Sequence, residues 1–196
     1  MGAPRRLSAD RIVAAALTAA EAGPLTMRAV AREAGCDPMA IYRHFPNRAA
    51  LLDAAGDLAL ADVELPDDPR WDDRIVELYA RVRAAVLRRP GLAPEFVARP
   101  PLGEHAARVS RATAAALREG GANGRQVVGA LQVLQSYLGA NIAQAVAPRD
   151  QQARATEVGR AMGRAGEHLL VNGSEELLRY GVRVIARGAV VPVAPA

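Results

Sequence analysis

The sequence predicts an all-α fold, with an N-terminal three-helix unit built around a helix-turn-helix and a helical bundle behind it. Three observations predict it. Apolar residues recur at helical spacing, as in Val127, Leu131, Leu134, Leu138 and Ile142. Good capping and stop residues punctuate the chain at helix-length intervals. No stretch of useful length alternates apolar and polar residues as a half-buried strand does.

The elements follow in order. Ser8 caps a first helix, Asp10 suits the positive end of its first turn, and Gly23 closes it. Ile12, Ala16, Leu17 and Ala20 form its apolar stripe. Thr26 caps a second helix that runs to about Ala34 and stops at Gly35. Asp37 then caps a third helix, because Pro38 has the fixed φ and missing N–H that the first helical position tolerates. That helix runs to about His44, since Phe45 precedes Pro46 and is pushed out of the α region. Asn47 caps a fourth helix reaching about Val63. Residues 64–70, with two prolines and two adjacent aspartates, break the helical run. These limits divide the chain into a helix-turn-helix domain over 1–47, a connecting helix over 47–63 and a second domain over 64–190. In the second domain Ile75, Leu78, Tyr79, Val82 and Val86 keep helical spacing up to Pro90-Gly91, and the proline-rich 91–104 reads as irregular. Further helices are expected over about 105–119, 125–146, 149–170 and 174–187, with a frayed tail after Val190.

Composition narrows the function classes. Of the 196 residues, 51% are hydrophobic and 23% charged, which suits a packed globular core. No stretch approaches the ~20 uncharged apolar residues that a membrane span needs, and no signal-peptide core develops after Arg5 and Arg6. A cytoplasmic protein is expected. The single cysteine, Cys36, cannot pair within the chain and reads as a small residue at a helix turn. The net charge is +4, carried by arginines without a lysine. Residues 1–50 hold seven arginines against four carboxylates, so the excess positive charge gathers in one quarter of the chain and points to a polyanion there. An enzyme is not expected, for there is no Gly-rich phosphate loop, no Gly-x-Ser-x-Gly elbow and no histidine pair at metal spacing. No cofactor or metal is expected either.

The informative stretch is Leu25–Leu52. A helix-turn-helix needs a glycine at its turn and small or apolar residues at its crossing. Gly35 supplies the first, and Val30, Ala31, Ala34, Ile41 and Phe45 the second. Pro38, Met39, Ala40, Tyr42, Arg43 and His44 are left facing outward, short or hydrogen-bonding groups that suit a helix lying in a major groove.

These residues carry a resemblance. Thr26, Arg28, Ala31, Gly35, the Tyr42…Phe45 pair, Pro46-Asn47-Arg48 and Leu51-Leu52 together resemble the DNA-binding domain of the tetracycline-repressor (TetR) family. The resemblance implies a role for each. Thr26 would offer a phosphate its hydroxyl or N–H at a helix N-terminus. Arg28 and Arg43 would reach a base edge or phosphate. Pro38, Met39 and Ala40 would lie at the groove floor, Tyr42 and His44 would bond phosphates, and Arg48, where the family usually has lysine, would clamp the DNA backbone.

Trp71-Asp72-Asp73-Arg74, Arg88-Arg89-Pro90-Gly91 and Arg99-Pro100-Pro101-Leu102-Gly103 resemble the family's C-terminal domain. The resemblance implies a bundle that binds a small effector and a homodimer formed through the helices near 125–146 and 174–188, where Gly139, Ala140, Ala143, Gly181 and Gly188 permit close approach. Candidate effector contacts are Trp71, Tyr79, Glu95, Phe96, Arg99, His105, Gln135, Tyr137 and Asn141. Where the family's namesake has a histidine that helps hold a metal-bound drug, counting from Gly91 to Arg99 finds Glu95 here, so no metal is assigned. The implied function is a repressor released from a palindromic operator by a small molecule. The alternatives are an activator, or a helical DNA-organising protein without an effector.

Overall fold

A computed structural model describes residues 7–148 and 171–191, together with positions 157 and 161. The described residues form nine helices and no strand: α1 (Ala9–Ala22), α2 (Met27–Ala34), α3 (Pro38–Ile41), α4 (Arg48–Leu58), α5 (Trp71–Leu87), α6 (Ala93–Ala98), α7 (Glu104–Glu119), α8 (Gly124–Ala145) and α9 (Glu175–Ala189). The helix expected over 149–170 and the tail beyond Val191 lie outside the described residues.

Contacts divide the chain into two compact units. One holds residues 1–62 and 85–106, the other 63–84 and 107–196.

The first unit is built on capping and a small apolar core. Ser8, Thr26, Asp37 and Asn47 each accept a backbone N–H from the helix they precede, satisfying a donor that the helix itself leaves open. Gly35 ends α2 with φ at +66°, a left-handed conformation that a Cβ disfavours, and lets the Cys36 N–H donate back to the Ala31 carbonyl at 3.0 Å. Ile12, Ala16, Leu17 and Ala20 of α1 close over Val30, Ala31, Ala34, Ile41, Phe45, Leu51, Leu52 and Ala55, and Leu92 completes this core.

Two boundaries and one segment differ from expectation. Regular helix in α3 stops at Ile41, and Tyr42–His44 form a tight turn in which His44 N–H donates to the Ile41 carbonyl at 2.9 Å. Such i to i+3 bonds commonly tighten a last turn, and Pro46 prevents the helix from relaxing forward. α4 ends at Leu58 instead of near Val63, for the same kind of turn closes Leu60 onto the Asp57 carbonyl. The proline-rich segment after Gly91, expected to be irregular, contains α6. Pro94 sits in the first turn of that helix, where its missing N–H costs nothing.

In the second unit α9 packs along α8. Val127, Leu134, Leu138 and Ile142 of α8 are buried with Leu178, Val182 and Ala186 of α9. A reciprocal capping box of Asn123 and Gln126 starts α8. Charge fastens the bundle. Asp72, in the first turn of α5, is 3% exposed and accepts from Arg187 Nε at 2.7 Å and from Arg183 and Arg70 at 3.4 Å. Asn141 is buried too, taking Arg83 Nε at 2.8 Å on its Oδ1 and donating from Nδ2 to the Ser174 carbonyl at 3.0 Å.

Candidate nucleic-acid interface

The second and third helices leave one short face uncovered. Ile41 is fully buried and Phe45 nearly so, which fixes the roll of α3 about its own axis. The same roll turns Met39 (68% exposed) and Tyr42 (42% exposed) outward. Arg43 and His44 are exposed beside them, and Pro38 and Ala40 are half-buried at the base. Asp37 Oδ1 accepts the Met39 N–H at 2.7 Å, so the start of α3 is held from its own side chain. Thr26 and Arg28, at the start of α2, are exposed. Thr26 Oγ1 accepts the Ala29 N–H at 3.1 Å, which leaves its own hydroxyl hydrogen available to donate. The candidates expected at a groove therefore all lie at the surface of this unit or at its edge.

Arg48 differs from the rest, being already occupied. It opens α4, and its guanidinium donates from Nη2 and Nη1 to the two Glu95 carboxylate oxygens at 2.5 and 3.2 Å. Nη2 also reaches the Leu25 carbonyl at 3.3 Å. The Glu95 hydrogen bond is the main cause that raises the Arg48 pKa, with desolvation opposing and Tyr42 adding a smaller rise.

The nine candidate effector contacts fall into two groups. Glu95, Phe96, Arg99 and His105 belong to the first unit. Glu95 holds Arg48, Phe96 is buried, Arg99 pairs with Asp53 at 2.8 Å, and the His105 N–H donates to Asp57 Oδ2 at 3.3 Å. Trp71, Tyr79, Gln135, Tyr137 and Asn141 belong to the second unit. Trp71 packs against Gly120, where any side chain would collide with the indole. Tyr79 is buried and hydrogen-bonds Thr113, and burial pushes its phenol up to about 12. Tyr137 donates to the Leu177 carbonyl at 2.6 Å, and Gln135 is exposed. The second unit also has a cavity of about 150 Å³ between α5 and α7, lined by Leu65, Ile75, Leu78, Thr113 and Ala116, with the Arg74–Glu119 ion pair on its wall. The nine candidates do not line it. Among the described residues no group of three His, Cys, Asp or Glu side chains is placed to hold a metal, and no helix is long and apolar enough to cross a membrane.

Residues 12–55 match the model of the bacterial regulatory proteins of the tetR family, and residues 65–168 match the tetracyclin repressor-like C-terminal domain. The chain belongs to the TetR family. An HTH-type transcriptional regulator of Saccharopolyspora erythraea is 29% identical over 137 residues, which is 67% of this chain and 58% of that one. The HTH-type transcriptional repressor DrrR1 of Streptomyces coeruleorubidus is 30% identical over 138 residues, 67% of this chain and 51% of its own. The chain thus spans little more than half the length of these two relatives. Among solved structures, apo ActR of Streptomyces coelicolor superposes with a TM-score of 0.78 at 26% identity, covering 96% of this chain and 97% of ActR.

Two features of this TetR-family chain escaped the sequence. The Arg48–Glu95 pair joins positions 47 residues apart, and neither neighbourhood hints at the other. The cavity lining is ordinary core composition, with Thr113 its one uncharged polar side chain among the described residues.

Proposed function

We propose that this protein is a sequence-specific transcriptional regulator, a homodimer that represses by holding a palindromic operator and lets go when a small molecule binds. The observation that carries this reading is the exposed face of α3 and of the turn after it, with Met39, Tyr42, Arg43 and His44 outward over a base of buried Ile41 and Phe45. A helix presented this way fits the major groove, where an apolar tip such as Met39 can touch a thymine methyl. Thr26, Arg28 and Arg48 would on this reading hold phosphates, and Pro38 and Ala40 would allow close approach. On this reading residues 1–47 read DNA, 47–63 connect, and 64–190 bind effector and partner.

Repression is supported by the relative DrrR1, itself a transcriptional repressor. Release by a small molecule is supported by ActR, whose solved structures include complexes with actinorhodin and with (S)-DNPA. An effector would act by binding one conformer better than another, and shifts the balance only by that difference in affinity. Dimerisation is supported by apolar side chains left open on α8 (Val128, Val133) and on α9 (Tyr180, Val184). On this reading the protein works in the cytoplasm, where a bacterial chromosome lies.

Selection of bound duplexes from a random DNA pool tests the proposal. The expected product is a palindrome whose half-sites lie roughly 34–36 Å apart, bound roughly 10³-fold or more above bulk DNA. Met39→Ala should change the selected bases without abolishing selection. Binding with no enriched sequence would favour a DNA-organising protein instead.

A further inference from the structure

Arg48 meets Glu95 as a guanidinium meets a phosphate. Two nitrogens face two oxygens of one anion, at 2.5 and 3.2 Å, and that forked geometry serves carboxylate and phosphate equally. The Arg48 side chain is still 45% exposed, so a second anion can approach it. Glu95 stands in the first turn of α6 and is itself partly open to solvent. Tyr42 lies near enough to add to the stabilisation of the Arg48 charge, which places the pair beside the outward residues of the α3 turn.

We infer that Glu95 is a built-in competitor for DNA: it occupies Arg48 as a phosphate would and so restrains binding to duplex of any sequence. The inference rests on the DNA-binding reading above. To grip a phosphate, Arg48 must give up a forked ion pair. Glu95 is then left with its charge beside a polyanion, which adds repulsion to the lost pair. Both effects act on backbone contact, which carries no sequence information. The restraint therefore trims non-specific affinity more than base readout, and sharpens discrimination between operator and bulk DNA.

The magnitude follows from counterion release. Freeing one arginine adds one phosphate contact per reading head. Each contact steepens the slope of log K against log salt by about 0.9, which is about eightfold in affinity at 100 mM salt.

The test uses the full chain and a random-sequence duplex labelled for fluorescence anisotropy, titrated across a salt series. Glu95→Gln keeps the shape and removes the charge. It should bind the duplex about eightfold tighter per head with the steeper slope, and adding Arg48→Ala should erase the gain. Glu95→Asp keeps the charge at shorter reach and should give a smaller gain, which keeps the question open to test should the glutamine variant fail to fold. An unchanged slope in Glu95→Gln overturns the inference, as does a gain that survives Arg48→Ala. Arg43→Ala separates this from the underlying reading. If the wild type binds and Arg43→Ala weakens it while Glu95→Gln does nothing, only the competitor role falls. A wild type that ignores duplex at low salt overturns both.

Discussion

Asp72→Asn is the perturbation the second unit should feel most. Asp72 is buried in the first turn of α5 and gathers Arg187 and Arg183 from α9 together with Arg70. Asparagine keeps the volume and one accepting oxygen but removes the negative charge around which three guanidinium groups are arranged. Breaking a fully buried pair costs about 3–5 kcal/mol. Here Arg183 and Arg187 keep contact with water and can be partly resolvated, so about 2–3 kcal/mol is expected. At this chain length that lowers the melting temperature by about 5–10 °C. The acid side provides an independent check. Burial works to raise the Asp72 pKa, but hydrogen bonds and charge from Arg187 and Arg70 outweigh it, and the carboxyl ends below its usual 3.8. A depressed carboxyl stabilises the fold fully above its unfolded value and loses that contribution as pH falls through the folded one. The wild type should therefore lose stability below about pH 4 on account of Asp72, while Asp72→Asn lacks that part of the decline. Circular-dichroism melts of both proteins between pH 7 and acid test this. A variant that melts within a degree or two of wild type at pH 7 would refute the reasoning, and so would one that keeps the full acid loss.

Two further outcomes follow from local geometry. Gly91→Ala would drive a methyl into the backbone carbonyl of Gly23, beside the Gly91 N–H bond to the Ala20 carbonyl at 2.9 Å; with only backbone to displace, a loss of at least about 2 kcal/mol is expected in a denaturant melt. Val184→Glu changes a side chain already exposed on α9, so the fold should persist; on the proposed dimer, sedimentation velocity should show a wild-type dimer and a monomeric variant, and an unchanged dimer would exclude that face from the interface.

The first unit was largely legible because its signals are local. Ser8, Thr26, Asp37 and Asn47 each cap the helix they precede, within three residues of the N–H they accept, and Gly35 takes the left-handed conformation its place at the turn suggested. Burial of Ile41 and exposure of Met39 both follow from helical period once the start of α3 is known. Legibility ended where sequence distance grew. Pro94 looks alike whether it breaks a helix or begins one, and only the burial of Leu92 and Ala93 in their surroundings makes it a beginning. Asp72 appeared in the sequence only as part of a family-like run, and its function in the fold depends on arginines more than a hundred positions away. Glu95 reads as a ligand candidate and is found on Arg48.

The fourth helix has a further property. Its charges run Arg48, Asp53, Asp57, and each meets something different in the 95–106 segment: a carboxylate, a guanidinium, and the N–H groups of His105 and Ala106. The signs are not interchangeable. Sliding α4 by one turn, about 5.4 Å, would bring Asp53 toward Glu95, anion on anion. The joint is keyed like a lock with a single cut, and a ratchet-like slip between the two segments is closed to it. Any motion of the fourth helix must carry the 95–106 segment with it as one piece, or pull the key out altogether.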